Sequence, residues 1–155
     1  MNEGLAQLIA IEEGMERLYR LFCSKFPEHR EFFSQLADEE QRHAGVLKEL
    51  LTLPAQEIAQ AINLISRRVD EFEQVNQLLA REHRGFEELP KTVIEGLELA
   101  FKLEESAGEL HYQFVVTTEV KNRALEKIRG LTGADRDHAQ RVRSYLKELN
   151  PRRGR

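Results

Sequence analysis

Two segments of the sequence carry an acidic residue followed three positions later by a histidine. Glu40 and His43 form one pair, in EQRH, and Asp135 and His138 form the other, in DRDH. On a helix this spacing places both side chains on one face. Carboxylate and imidazole groups that share a face can bind a divalent transition metal, so each pair is a candidate half of a metal site.

The first pair lies on the apolar stripe of its helix. Leu36, Leu47 and Leu50 mark that stripe with steps of three and four residues, and the same steps include Glu40 and His43. A buried carboxylate costs free energy unless it is paired or coordinates a metal. A metal-binding role would explain these positions, but a single acid-x-x-His pair on a helix is a weak signal by itself.

Two glutamates occupy equivalent stripe positions elsewhere. Glu12 interrupts the apolar series Leu5, Leu8, Met15, Tyr19 and Phe22. Glu105 interrupts a second series, which contains Ile94, either Leu97 or Glu98, Phe101, Gly108, Tyr112 and Val115. Both glutamates are therefore predicted to face the core.

An internal repeat connects the two halves of the chain. EEGMERLY, from Glu12 to Tyr19, aligns with ESAGELHY, from Glu105 to Tyr112. LADEEQRH aligns with LTGADRDH, which matches the two acid-x-x-His pairs with each other. The repeat predicts two equivalent helical hairpins, each with one isolated acid and one acid-histidine pair.

Four buried carboxylates would repel one another, and two dications would balance their charge. A glutamate from each of two helices plus an acid-x-x-His pair from each of the other two is the ligand set of carboxylate-bridged dimetal bundles. The predicted metal ligands are Glu12, Glu40, His43, Glu105, Asp135 and His138.

The helices that must position these ligands are delimited by caps and prolines. The first is predicted to begin after Asn2 and end at Pro27, the second to run on to Pro54, the third to open after Pro90, and the fourth to begin near Asn122. The segment 53–90 carries its own apolar stripe and is predicted to be a long, partly helical crossover. Thr132 and Gly133 are poor helix formers and are expected to loosen the fourth helix.

The predicted fold class is all-α: an antiparallel four-helix bundle of two hairpins joined by the crossover. Residues 1–150 form this single domain and 151–155 a basic tail. A net charge of -4 argues against nucleic acid as a partner. Cys23, the single cysteine, excludes an intramolecular disulfide and fits a reducing cytoplasm. The sequence has no leader and no long apolar run, so no membrane association is expected.

The ligand motifs resemble those of the ferritin-like superfamily, and within it the rubrerythrin-like di-iron proteins. The resemblance covers the four bundle helices and implies two iron ions, although manganese or zinc would suit the same donors. It implies that Glu12 and His43 serve one metal and Glu105 and His138 the other, with Glu40 and Asp135 bridging. Asp135 departs from the family, which has a glutamate there.

Two further departures concern activity. Rubrerythrin has an additional glutamate three residues after its third-helix ligand, where this sequence has Gly108. The four-cysteine rubredoxin domain is also missing, so we expect electrons to come from a separate donor protein. Tyr19 and Tyr112 either pack in the core or hydrogen-bond a ligand carboxylate.

Two classes of function fit this reading of the sequence. One is an oxidoreductase that reduces hydrogen peroxide or dioxygen at a di-iron site. The other is not enzymatic: an iron-binding or storage subunit, or a structural bundle with a degenerate site. Either could act as a homodimer.

Overall fold

The fold is all-α, as predicted. The computed structural model of the protein describes residues 2–116 and 122–152, with side chains described outside 108–116. Within these residues there is no strand, and the helices are α1 (Glu3–Lys25), α2 (Arg30–Glu49), α3 (Ala55–Ser66), α4 (Val69–Glu88), α5 (Val93–Val116) and α6 (Arg123–Leu149). Two short 3-10 helices, Pro27–His29 and Leu50–Thr52, flank α2. No helix in this part of the chain has the length and apolar character required to cross a membrane.

The boundaries of α1 follow from its caps. The Asn2 side chain accepts a hydrogen bond from the Leu5 amide at 3.2 Å, which confirms the predicted N-cap. The helix ends at Lys25, because Pro27 has no amide hydrogen to continue the ladder.

Helices α1 and α2 form an antiparallel hairpin. Glu13 pairs with Lys48 at 2.6 Å, and Arg20, further along α1, pairs at 2.6 Å with Asp38, which lies earlier on α2. The opposite order of the partners fixes the antiparallel direction. The turn at Pro27 is therefore where the sequence predicted it.

The crossover contains two helices, α3 and α4, that both contact α1. Helix α4 runs parallel to α1. Gln7, near the start of α1, accepts hydrogen bonds from Asn76, and Lys25, at the end of α1, donates to the carbonyl of Glu87, which lies later on α4. Gly14 permits close packing of the two helices, because a Cβ there would lie 3.0 Å from Leu79 Cδ1.

The chain divides into two compact units. The first contains Met1–Leu89 and Lys121–Lys127, and the second contains Pro90–Val120 and Ile128–Arg155. In the second unit, α5 and α6 bury apolar side chains such as Leu97, Leu103 and Val142. The single domain predicted over 1–150 stays a prediction, and residues 117–121, which separate α5 from α6 in the sequence, lie outside the described residues.

The expected loosening of the fourth helix is wrong. Helix α6 continues through Thr132 and Gly133 without a break. Propensity penalties of about 1 kcal/mol or less per residue do not break a 27-residue helix that buries one face.

Candidate metal centre

The first unit holds a buried acidic and histidine group, which we call the first triad: Glu12 on α1 with Glu40 and His43 on α2. These side chains are 2%, 1% and 8% exposed. His43 Nδ1 lies 3.1 Å from Glu40 Oε2 and 3.5 Å from Glu12 Oε2. The hairpin thus brings together three of the residues that the sequence predicted as ligands.

The two carboxylates change the titration of His43. Burial of its imidazole lowers the pKa, but the hydrogen bonds and negative charges of Glu12 and Glu40 outweigh burial and raise it to about 10. Without a metal, the imidazole is therefore protonated at neutral pH and partly neutralises the acids. A dication bound by the same three side chains would take over that role and release the proton.

An aromatic cluster closes the first hairpin beyond the triad. Tyr19 is fully buried, with its ring centroid 6.3 Å from that of Phe22 and 6.3 Å from that of Phe33. The Phe22 ring also packs on Phe86 of α4, at 4.8 Å. The packing role considered for Tyr19 is therefore present. The side chain of Tyr112, its predicted counterpart, lies outside those described.

The second unit holds a matching group, the second triad: Glu104 on α5 with Asp135 and His138 on α6. Each contributes a possible ligand atom, and these atoms lie within 4.8 Å of one another. All three side chains are at most 1% exposed, and His138 Nδ1 is 3.5 Å from Glu104 Oε1. The spacing suits a single cation with oxygen and nitrogen ligands.

One predicted ligand needs correction. Glu105 is exposed, and the carboxylate beside His138 belongs to the preceding residue, Glu104. Consecutive helical residues point about 100° apart, so a shift of one residue moves the acid from the solvent to the core. The buried positions of α5 include Ala100, Glu104 and Ala107. Each lies one residue before the corresponding position of the predicted apolar stripe.

The sequence contained a signal for the correct residue. Aligning the doublet Glu12-Glu13 with the doublet Glu104-Glu105 matches both pairs of adjacent acids. In each doublet the first acid is buried and the second is more exposed, and Glu13 makes a surface ion pair with Lys48. The match of Tyr19 with Tyr112 had favoured the other register.

The sequence reading also missed a buried hydroxyl. Thr132 lies three residues before Asp135 on α6, is 5% exposed, and its Oγ1 has no hydrogen-bond partner among the described residues. The repeat places Ala37, fully buried and apolar, at the corresponding position before Glu40. The two triads therefore differ in a neighbouring polar group as well as in acid length.

Both triads have the donor chemistry of a metal site. Each offers two carboxylates and one imidazole, ligands that suit iron, manganese and zinc. Burying three such groups without a metal would cost folding free energy. A bound cation is therefore expected in each triad. That both triads belong to one centre stays a prediction.

The chain is similar to one known protein family in particular over its first half. The sequence model of the family described as Rubrerythrin matches residues 3–88, which span α1 to α4 and contain the first triad. No curated protein and no solved structure matches the chain. The second triad lies outside the matched residues.

Proposed function

Because the rubrerythrin match covers more than half of its residues, this chain belongs to the rubrerythrin family, and we propose that it binds two iron ions for redox chemistry with hydrogen peroxide or dioxygen. The fold class is ferritin-like, in agreement with the sequence prediction. The family and the buried acidic and histidine groups fit a di-iron carboxylate site.

The observation that carries the proposal is the pair of buried triads. The family match contains Glu12, Glu40 and His43, and the internal repeat supplies an equivalent set at Asp135 and His138, completed by Glu104. With neutral imidazoles, each triad carries two negative charges and balances one dication. The donor count thus fits two metals in the whole chain.

A shared centre is supported by the repeat and by the family. The resemblance implies that Glu40 and Asp135 bridge the metals and that Glu12 and a glutamate of α5 each bind one. With the α5 register of the structure, that glutamate would be Glu104 instead of the predicted Glu105. Asp135 is one methylene shorter than the glutamate of the family and reaches less far from its helix. The protein would hold the ions in a dry core, where the buried carboxylates fix their positions.

When bound, the iron pair would supply the two electrons that reduction of peroxide requires. The chain's own contribution is to keep the ligands fixed and the surroundings apolar. A separate donor protein would return the electrons to the iron pair.

The donor set favours metal binding but not the peroxide specificity of rubrerythrin. With Glu104 as the α5 ligand, the residue three positions later is Ala107, which is buried and has no carboxylate. The additional glutamate of rubrerythrin is therefore missing in the corrected register too. This favours a plain six-ligand centre that reacts with peroxide or dioxygen.

The second candidate function is iron binding without turnover. It is favoured by the second triad, which has the shorter acid and lies outside the family match. A chain that retained only the first triad would still bind iron, but one ion cannot deliver two electrons while cycling between its ferrous and ferric states.

A stopped-flow titration distinguishes redox chemistry at two irons from iron binding without turnover. Ferrous iron is added in steps to metal-free protein, and the oxidation rate is followed after mixing with peroxide or oxygen. We expect rapid oxidation to rise steeply only as the second equivalent binds. Glu105→Ala serves as the matched control and should oxidise like the parent protein, whereas Glu104→Ala should be slow. Rapid oxidation that saturates at one iron per chain, or none at two, would favour the non-enzymatic function.

A further inference from the structure

We propose that a groove between α1 and α4 binds a phosphate monoester through the guanidinium groups of Arg17 and Arg84. The groove lies within the first unit, has a volume of about 310 Å³, and includes His83 in its lining. The proposal is independent of the metal chemistry, because none of these residues belongs to a triad.

The groove is preformed by the packing of its two helices. Its floor contains Gly14, whose missing side chain lets Leu79 approach, and a Cβ at Gly14 would be 3.0 Å from Leu79 Cδ1. Asn76, at one end, donates hydrogen bonds of 2.9 and 2.7 Å to the backbone and side-chain oxygens of Gln7. These contacts fix the distance between the helices, so ligand binding requires ordering of the exposed Arg17 and Arg84 side chains but not of the groove walls.

The lining is cationic and contains no carboxylate. Arg17 and Arg84 make no ion pair with any residue that the structure describes, so their hydrogen-bond donors are available. Arg17 Nη2 lies 3.8 Å from the position of a Cβ on Gly14, which places the guanidinium over the floor of the groove.

Three acids that neighbour the groove residues in the sequence contact basic side chains and are not part of the groove lining. On α1, Glu16 pairs with Arg20 at 3.6 Å, and on α4, Glu82 pairs with Arg81 at 3.4 Å. Glu87 lies 3.5 Å from His83 Nδ1 and is not part of the lining. Two guanidinium groups therefore face the groove without a competing internal anion.

Shape and charge together indicate the ligand class. Two guanidinium forks suit a phosphate group, whose oxygens accept paired hydrogen bonds. The volume of 310 Å³ equals that of roughly ten water molecules, which is larger than a phosphate group requires. Leu79 and Ala80 provide an apolar wall for the remainder of the ligand. An organic phosphate monoester meets both conditions.

The test measures binding of phenyl phosphate to the full-length chain by titration calorimetry, with inorganic phosphate and benzoate as comparison ligands. Phenyl phosphate should bind with at least about tenfold higher affinity than either, because it alone supplies both the phosphate and an apolar group. Backbone amide NMR signals of Gly14 and Ala80 should shift on binding. No saturable binding, or equal binding of benzoate, overturns the proposal.

Variants locate the binding site. Arg17→Gln and Arg84→Gln should each weaken phenyl phosphate binding about tenfold, since each removes a charge-assisted interaction. Arg81→Gln is the matched control: it removes the same charge from α4 at a side chain that is 70% exposed and outside the groove. Ala80→Glu, at an exposed helical position, should abolish binding without unfolding the protein. An effect of Arg81→Gln as large as that of Arg84→Gln would show nonspecific attraction and overturn the proposal.

Discussion

The two triads have the same composition of groups but different surroundings. The first has two glutamates, lies within the family match, and has apolar Ala37 one turn before Glu40. The second has Asp135, lies outside the match, and has Thr132 in the corresponding position. The two halves of the repeat thus carry the same types of donor in different surroundings.

This difference predicts that the two triads bind metal unequally although their donor counts are equal. A shorter acid reaches less far from its helix, and a nearby hydroxyl can hydrogen-bond a ligand or a bound water. We therefore expect the second triad to bind its metal more weakly and exchange it faster. The predictions that follow either separate the two triads or show that they act as one.

The largest expected effect is that of metal removal. Chelation should lower the melting temperature by about 10 °C, because a metal at about a thousand times its Kd contributes about 4 kcal/mol. Differential scanning calorimetry with and without metal measures the shift. Equal melting temperatures in the two samples would count against metal binding in either triad.

Calorimetry of variants that lack one histidine tests whether the two triads act separately. His43→Ala and His138→Ala should each reduce the stabilisation by metal, since each deletes one ligand. If the triads share one centre, both variants should lose most of the effect. If they are separate, His138→Ala should retain the contribution of the first triad, and its metal content should fall by about half.

A smaller effect should distinguish adjacent acids on α5. Glu104→Ala should remove about one metal ion per chain and lower the stability of the loaded protein by about 3 kcal/mol, because it deletes a buried partner of His138. Glu105→Ala, at an exposed position, should change stability by at most about 0.5 kcal/mol. Metal analysis and thermal unfolding of both variants provide the check. If Glu105→Ala lost the metal instead, the register of α5 given by the structure would be wrong.

The composition of α5 explains why the sequence predicted the wrong buried face for this helix. In α1 the stripe is made of large side chains, and the Asn2 cap and Pro27 fix both ends of the helix. In α5 the buried stripe includes Ala100 and Ala107, which give a weak signal, whereas Phe101 is large but only half-buried. Helical class and the first hairpin followed from periodicity and the turn at Pro27, and five of the six proposed ligands are buried members of the two triads. Metal binding by those residues stays a prediction. The break of the crossover between α3 and α4 did not, since Arg67 and Arg68 carry no turn signal.

Metal-free protein should also lose stability as the pH rises, through the first triad. Folding raises the pKa of His43 from 6.5 to about 10, so the folded state binds more protons than the unfolded state between these values. The stabilising contribution is complete below pH 6.5 and disappears as the pH passes about 10, with a slope of roughly 1 kcal/mol per pH unit between them.

Chemical denaturation of chelated protein across this pH range measures that slope. His43→Gln should flatten it, while His29→Gln, at the turn between α1 and α2, should not. If the free energy of unfolding of the parent protein rises or stays level with pH, the imidazole is neutral in the metal-free protein.

The smallest expected effect concerns the hydroxyl that distinguishes the second triad. A buried hydroxyl without a hydrogen bond costs about 1–3 kcal/mol, and valine has nearly the same shape without the polar atom. Thr132→Val should therefore stabilise metal-free protein by about 1 kcal/mol, or about 2–4 °C in melting temperature. Thr52→Val is the matched control, because the exposed Thr52 hydroxyl donates to the Glu49 carbonyl at 2.7 Å and its loss should not stabilise.

If the Thr132 hydroxyl bonds to a ligand or a water once metal is bound, the gain in stability from Thr132→Val should vanish in the loaded protein, and metal affinity at the second triad should fall relative to the first. Destabilisation of the metal-free protein by Thr132→Val would instead show that the hydroxyl already has a partner, and the difference between the triads would reduce to the length of Asp135.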